Sequence, residues 1–201
     1  VIVNLLNAVV AAAKEAGMDV GVGRKPKNGD DAYEAGIRHL HKAPDIARAL
    51  ASGELQVFGA TAWHWSATEA AGTVDVLVID EAGQLSLASA LASSQAAAGL
   101  VLLGDPQQLE QPQKAPHPDG VGVAALQHLL GDQQTIQPER GVFLPETWRL
   151  PPDICTFTSE VFYESRLQPR AGLEAHQLIG SSTWNGVGLR VRLVDHDGCR
   201  N

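Results

Sequence analysis

Cysteine is nearly absent: 201 residues contain only Cys155 and Cys199. Two thiols so far apart build neither a disulfide framework nor a CxxC zinc site, and a reducing cytoplasm is the expected setting. The sequence also lacks any run of about 18 apolar residues and any signal-peptide layout, which argues against a membrane span and against secretion. Positive charge is scarce, with 15 Lys and Arg against 23 Asp and Glu, a formal net charge of -8. That balance argues against a generic polyanion-binding surface, although a local groove can depart from the average. The seven histidines show no metal-ligand spacing, and His39 and His41, two apart, would not face one metal from a helix. Finally, no GxxxxGK[ST] occurs. Gly21-Val-Gly-Arg-Lys25 has glycines and a lysine but neither the spacing nor a preceding buried strand, and the loose GxGxxA of residues 120–125 follows a Pro-rich loop and reads as a helix start.

What is present is the texture of an α/β protein. Residues 2–16 carry apolar side chains at helical spacing and stop at Gly17. One short strand-like piece and a turn-rich, partly basic loop follow, then a helix around 43–52. Strands are expected at 55–60, 74–79 and 100–103, with an alanine-rich helix over 84–98 between the last two. Strand, helix, strand at this spacing is a βαβ unit with parallel strands, and near-continuous apolar strands suit a doubly wound sheet covered on both faces. Beyond a Pro/Gln-rich loop at 105–118, short helices are expected at 122–131 and 152–165 and a strand at 188–194. The chain starts with Val1 and stops in mid-pattern at Asn201, and it reads as a piece of a longer protein.

Ligands of open parallel sheets bind beyond the carboxyl ends of the strands. Those ends read Thr61, Asp80-Glu81 and Gly104-Asp105, three polar endings expected to converge on one edge. Neighbouring residues at a strand end point different ways, so Asp80 and Glu81 can serve different ligands. One can hold Mg²⁺ as the Asp ending a Walker-B strand does, and the other can orient a water. The structural alternative is that both carboxylates begin the following helix, where they favour the positive end of its dipole.

VLVIDEAGQ, LVLLGDPQQLEQ and LPETWRLPPDI resemble, in order and spacing, motifs II, III and IV of superfamily 1 helicases. GATAW, DEAGQ, LLGDPQQL, HPDG, TWR and SEVFYESRL are most similar to the helicase half of bacterial proteins that join a RecB-like nuclease to a 5′-to-3′ DNA helicase. The resemblance implies a P-loop NTPase (RecA-like) fold that is incomplete here. Residues 1–145 would be the distal part of the first motor domain, and 146–201 the motif IV region and the start of the second. It implies ATP and Mg²⁺ as cofactors, single-stranded DNA as partner with RNA as the alternative, and a fused nuclease. Residue by residue, it implies Asp80 at the Mg²⁺, Glu81 as the base for the attacking water, and Gln84 and Gln108 near the γ-phosphate. Asp105 would organise the site, and Arg149, with Trp148 beside it at the nucleotide, would reach the γ-phosphate across a domain cleft. Trp148 and Leu150 are expected to keep Arg149 partly buried; its alternative is an ion pair with Glu146 or Asp153. Thr61 is expected beside the single-strand track, with Trp63 or Trp65 stacking on a base, or both packed in the core. His64, sharing neither tryptophan's face in a strand, is assigned no role. With its phosphate loop missing, the chain alone is expected not to hydrolyse ATP.

Overall fold

The computed structural model describes residues 2–27, 34–108 and 120–175. The chain divides into two compact units, Val1–Leu129 and Leu130–Asn201.

In the first unit, helix α1 (Ile2–Glu15) ends at Gly17, whose φ of 65° is left-handed. The amides of Gly17 and Met18 turn back to the carbonyls of Lys14 and Ala13, closing the last turn as glycine-terminated helices do. The helix lays Leu6 against strands β1 (Val22–Arg24) and β2 (Ile37–His39), burying Leu6, Val22 and Ile37 with Ile2, Val10 and Val57 around them. β1 is the middle strand of a parallel trio, pairing Val22 with Ile37 of β2 and with Val57 of β3 (Val57–Gly59). Between β2 and β3 runs α2 (Ala43–Ala51), with Pro44 in its first turn and Ile46 and Ala49 buried.

The second parallel pair is β4 (Val74–Ile79) and β5 (Ala97–Leu102), in register from Val74↔Ala97 to Ile79↔Leu102. The crossover between them is α4 (Leu87–Ser94). One face of the pair packs Leu77 against Trp65, Ala70 and Ala96, with Phe58, Ala60 and Ile79 at the margin. Burying a side chain such as Leu77 contributes about 1.5–3 kcal/mol. The other face leaves Val76 at 53%, Val78 at 55% and Val101 at 43% exposure, so the expected covering of both faces is not seen among the described residues. The architecture is therefore α/β with parallel strands and helices, the pattern of a partial P-loop (RecA-like) fold. Among the described residues the strands of this unit form two parallel sheets rather than the single one expected. α5 (Ala125–Leu130) runs up to the first residue of the second unit.

The second unit holds β6 (Glu146–Thr147), α6 (Pro152–Phe162) and β7 (Gln168–Pro169), with β6 and β7 parallel. The buried Thr135 hydroxyl donates to Glu164 at 2.6 Å and accepts from Arg166, whose guanidinium also lies 4.5 Å from the Phe143 ring centre. Cys155 is fully buried in α6, and burial pushes its thiol above the ordinary range. Cys199 and the expected strand at 188–194 lie outside the described residues.

Candidate functional site

Helix α4 starts at Leu87 with Ser86 as its cap, the Ser86 hydroxyl accepting from the Ser89 amide at 3.3 Å. The helix is thus capped by a serine several residues after Asp80 and Glu81, and the carboxylates are not its opening residues. The alternative reading of the pair falls.

Glu81 instead sits in a turn with φ of 57°, one of three non-glycine residues in the left-handed region among the described residues. Such a backbone costs an L-residue with a Cβ about 1–2 kcal/mol. It persists because the turn is held from both sides. The Ala82 amide donates to Leu103 at 2.8 Å, and the Gln84 amide donates to the Glu81 carbonyl at 2.8 Å. The turn after β4 is also pressed onto the turn after β5. A Cβ on Gly83 would stand 2.0 Å from the carbonyl oxygen of Asp105, so only glycine permits this approach.

That contact brings two distant segments into one cluster. The Gln84 side-chain amide donates to Gln108 Oε1 at 2.9 Å and reaches Glu81 Oε2 at 3.4 Å. An amide nitrogen has two hydrogens, so one residue serves both neighbours. Asp105 shapes its own turn: its carboxylate accepts from the Gln107 amide at 3.0 Å. Asp80, half-buried at the end of β4, makes no ion pair among the described residues. An acid with no protein cation beside it fits a Mg²⁺ ligand, since Mg²⁺ usually takes one or two carboxylates and completes its shell with water and phosphate. No group of three or more His, Cys, Asp or Glu suited to a metal occurs among the described residues.

Thr61 belongs elsewhere. GATAW leaves β3 and turns at once into a single helical turn, α3 (Ala62–Trp65), not a continued strand. Helical spacing separates what alternation would have paired. Trp63 points outward at 89% exposure, while His64 and Trp65 are buried, their rings 4.9 Å apart and both edge-on to Phe58. His64, given no role in the sequence, is part of this packing. Burial lowers its pKa, and so does nearby Lys25, against a smaller opposing pull from Glu69. Thr61 and Trp63 line a cleft of about 460 Å³ with Lys25, Lys27, His64 and Glu69. Of the three strand ends expected to converge, those of β4 and β5 meet through Gly83 and the Gln84–Gln108 bond, and that of β3 lines the cleft. The partly basic loop after Gly23 was the signal for Lys25 and Lys27; nothing in the sequence singled out Glu69.

In the second unit Arg149 is exposed, not partly buried, and its backbone amide donates to the Thr147 hydroxyl at 3.3 Å. Trp148 does not cover it. That indole is 69% exposed and carries the Arg170 guanidinium 3.3 Å from its ring centre, a cation–π contact.

The βαβ unit thus has a first strand that ends in adjacent carboxylates, joined through glutamines to the turn after the second strand. Residues 38–121 match the family model of the viral superfamily 1 RNA helicase core domain. The match spans β2 to β5 and both turns of the cluster, and it supports a superfamily 1 helicase at that coarse level. No curated protein matches the chain.

Proposed function

We propose that this chain is part of an ATP-dependent motor that moves on single-stranded DNA, with Asp80, Glu81, Gln84 and Gln108 at its nucleotide. The observation that carries the reading is the Gln84 amide standing between Glu81 and Gln108. It ties the residue assigned to water activation to the residue assigned to sensing the γ-phosphate. Bound Mg²⁺-ATP would supply an electrophilic phosphorus with its charge neutralised by the metal, and Asp80 would be the metal's protein ligand. The chain's own part is then positional. Glu81 holds a water and takes its proton, while Gln84 fixes the Glu81 carboxylate and transmits a change at Gln108 to it.

Arg149 would complete the site as a planar cation on the phosphate oxygens, a role worth about 10³–10⁵ in rate. We place residues 146–201 at the opening of a second RecA-like domain, so that Arg149 would act across a cleft. The sequence contains no GxxxxGK[ST], so we propose that the phosphate loop comes from an additional segment of the same protein and that the 201 residues alone turn over no ATP. A RecB-like nuclease in the same protein and a cytoplasmic setting are part of the same proposal.

DNA as the track rests on the DEAGQ and GDPQQL forms. The matched family is one of RNA helicases, which favours a second reading with RNA as the track. The test is ATPase activity of a protein extended to include a phosphate loop, with single-stranded DNA or RNA added. Stimulation by DNA supports the first reading and stimulation by RNA alone the second. Stimulation by neither would leave a P-loop NTPase that moves no nucleic acid.

A further inference from the structure

Arg170 is exposed, and neither it nor Arg149 makes an ion pair among the described residues. What holds Arg170 is built from the second unit's own strands. In the last turn of α6 the buried Ser159 hydroxyl accepts from the Leu167 amide at 2.9 Å, which brings the chain back into β7. β7 pairs Gln168 with Glu146 and Pro169 with Thr147, and the Arg170 amide donates to the Thr147 carbonyl at 3.0 Å. Arg170 is the next position along that register, beside Trp148, and its guanidinium carbon lies 3.3 Å from the indole ring centre. On the other strand the Thr147 hydroxyl accepts from the amides of Arg149 and Leu150, at 3.3 and 3.4 Å, so the chain leaves β6 directly after Thr147. One threonine thus fixes the backbone on both sides of the indole.

An aromatic ring has two faces. The guanidinium covers one, so the 69% exposure of Trp148 belongs to the other face and the edges. An indole with no neighbour exchanges rotamers, and a ligand that stacks on it must offset the entropy of fixing it. A planar cation over the ring fixes it beforehand, favouring one arrangement by about two- to fivefold at an exposed site. That factor is comparable with the cost of immobilising one side chain on binding, and it is too small to shut a site.

We propose that Arg170 is a positioning residue, holding Trp148 so that a nucleotide base meets the bare face of an indole already in place. The proposal rests on the reading that Trp148 and Arg149 stand at the nucleotide. It adds to that reading a residue that touches neither base nor phosphate and acts only through the ring.

The test is steady-state ATP hydrolysis by a protein extended to include a phosphate loop, in a double-mutant cycle over Trp148 and Arg170. Arg170→Ala should raise KM for ATP about two- to fivefold with kcat changed by less than about twofold, the mark of lost ground-state binding. Arg170→Lys keeps a cation for the ring and should recover at least about half of that loss. Trp148→Ala should raise KM as well, and adding Arg170→Ala to it should change nothing further, because the ring through which Arg170 acts is gone. Additive effects would make Arg170 a direct phosphate ligand and overturn the positioning role. A KM lowered by Arg170→Ala, the result for a plug over the ring, or a KM left unchanged would overturn it too, with the reading of Trp148 intact as long as Trp148→Ala raises KM. An unaltered KM in Trp148→Ala would overturn the reading of Trp148 at the nucleotide and the proposal with it.

Discussion

Replacing Gly83 with alanine perturbs the contact that holds the proposed nucleotide residues together. The new Cβ would lie 2.0 Å from the Asp105 carbonyl oxygen, where ordinary contact begins at 3.4 Å. The obstacle is backbone, so no rotamer change relieves it, and the two turns must part by about 1 Å or more. Overpacking of this kind costs about 1–3 kcal/mol. Displacement also carries the Gln84–Gln108 bond, now 2.9 Å, past hydrogen-bond range, a further loss of roughly 0.5–1.5 kcal/mol. The expected destabilisation is therefore about 2–4 kcal/mol. Gly99→Ala is the matched control: its Cβ meets nothing closer than 3.8 Å, and the substitution in a compatible strand should be neutral or stabilising by up to about 1 kcal/mol. Urea unfolding, with amide exchange at Ala82 and Gln84 as the local probe, measures both. Equal stability of the two variants would refute the argument that the turns are locked through Gly83.

Three further outcomes follow from the described geometry. Ser86→Ala removes the acceptor for the Ser89 amide and should cost about 1 kcal/mol in urea unfolding, whereas Ser86→Asp should keep most of it. His64 is held neutral because its folded pKa lies below the ordinary 6.5, so the unfolded chain binds the extra proton first as pH falls. Stability from this group is complete above about pH 6.5 and declines below it, down to the folded pKa; His64→Gln should flatten that part of the stability–pH curve. Thr135→Val keeps the shape but strips Glu164 of a donor and Arg166 of an acceptor, and should cost about 1–3 kcal/mol in melting or urea experiments on the second unit.

How much of this was legible in the sequence depended on how long each signal ran. β4 was read at its observed bounds because six residues of strand-forming character end in two charges that no core retains. β5 was misplaced at its start. Alanine has little to say between helix and strand, and Ala97 joins the sheet because it pairs with Val74, which is a tertiary fact. β2 was not anticipated at all: it has three residues, and only Ile37 is buried. Around GATAW the wrong period was applied. One helical turn reverses which neighbours share a face, so Trp65 is core, Trp63 is outside, and His64 belongs to the packing. The pairing of Gln84 with Gln108 spans 24 positions and was reachable only through the resemblance of the motifs. The left-handed backbone of Glu81 had no signal, because glutamate is not among the residues, glycine, asparagine and aspartate, that favour that region. Strain at that position is what a site built around the Glu81 carboxylate would retain.

The central claim is that Glu81, steadied by Gln84, activates water at a nucleotide whose metal Asp80 holds. The most direct measurement is single-turnover ATP hydrolysis by a protein extended to include a phosphate loop, comparing Glu81→Gln with the unmutated form under saturating Mg²⁺-ATP. The account predicts that Glu81→Gln binds ATP with affinity within a few-fold of the unmutated protein, while hydrolysis falls by about 10²–10⁴, the range for loss of a general base. Hydrolysis at an unchanged rate with ATP bound would contradict it.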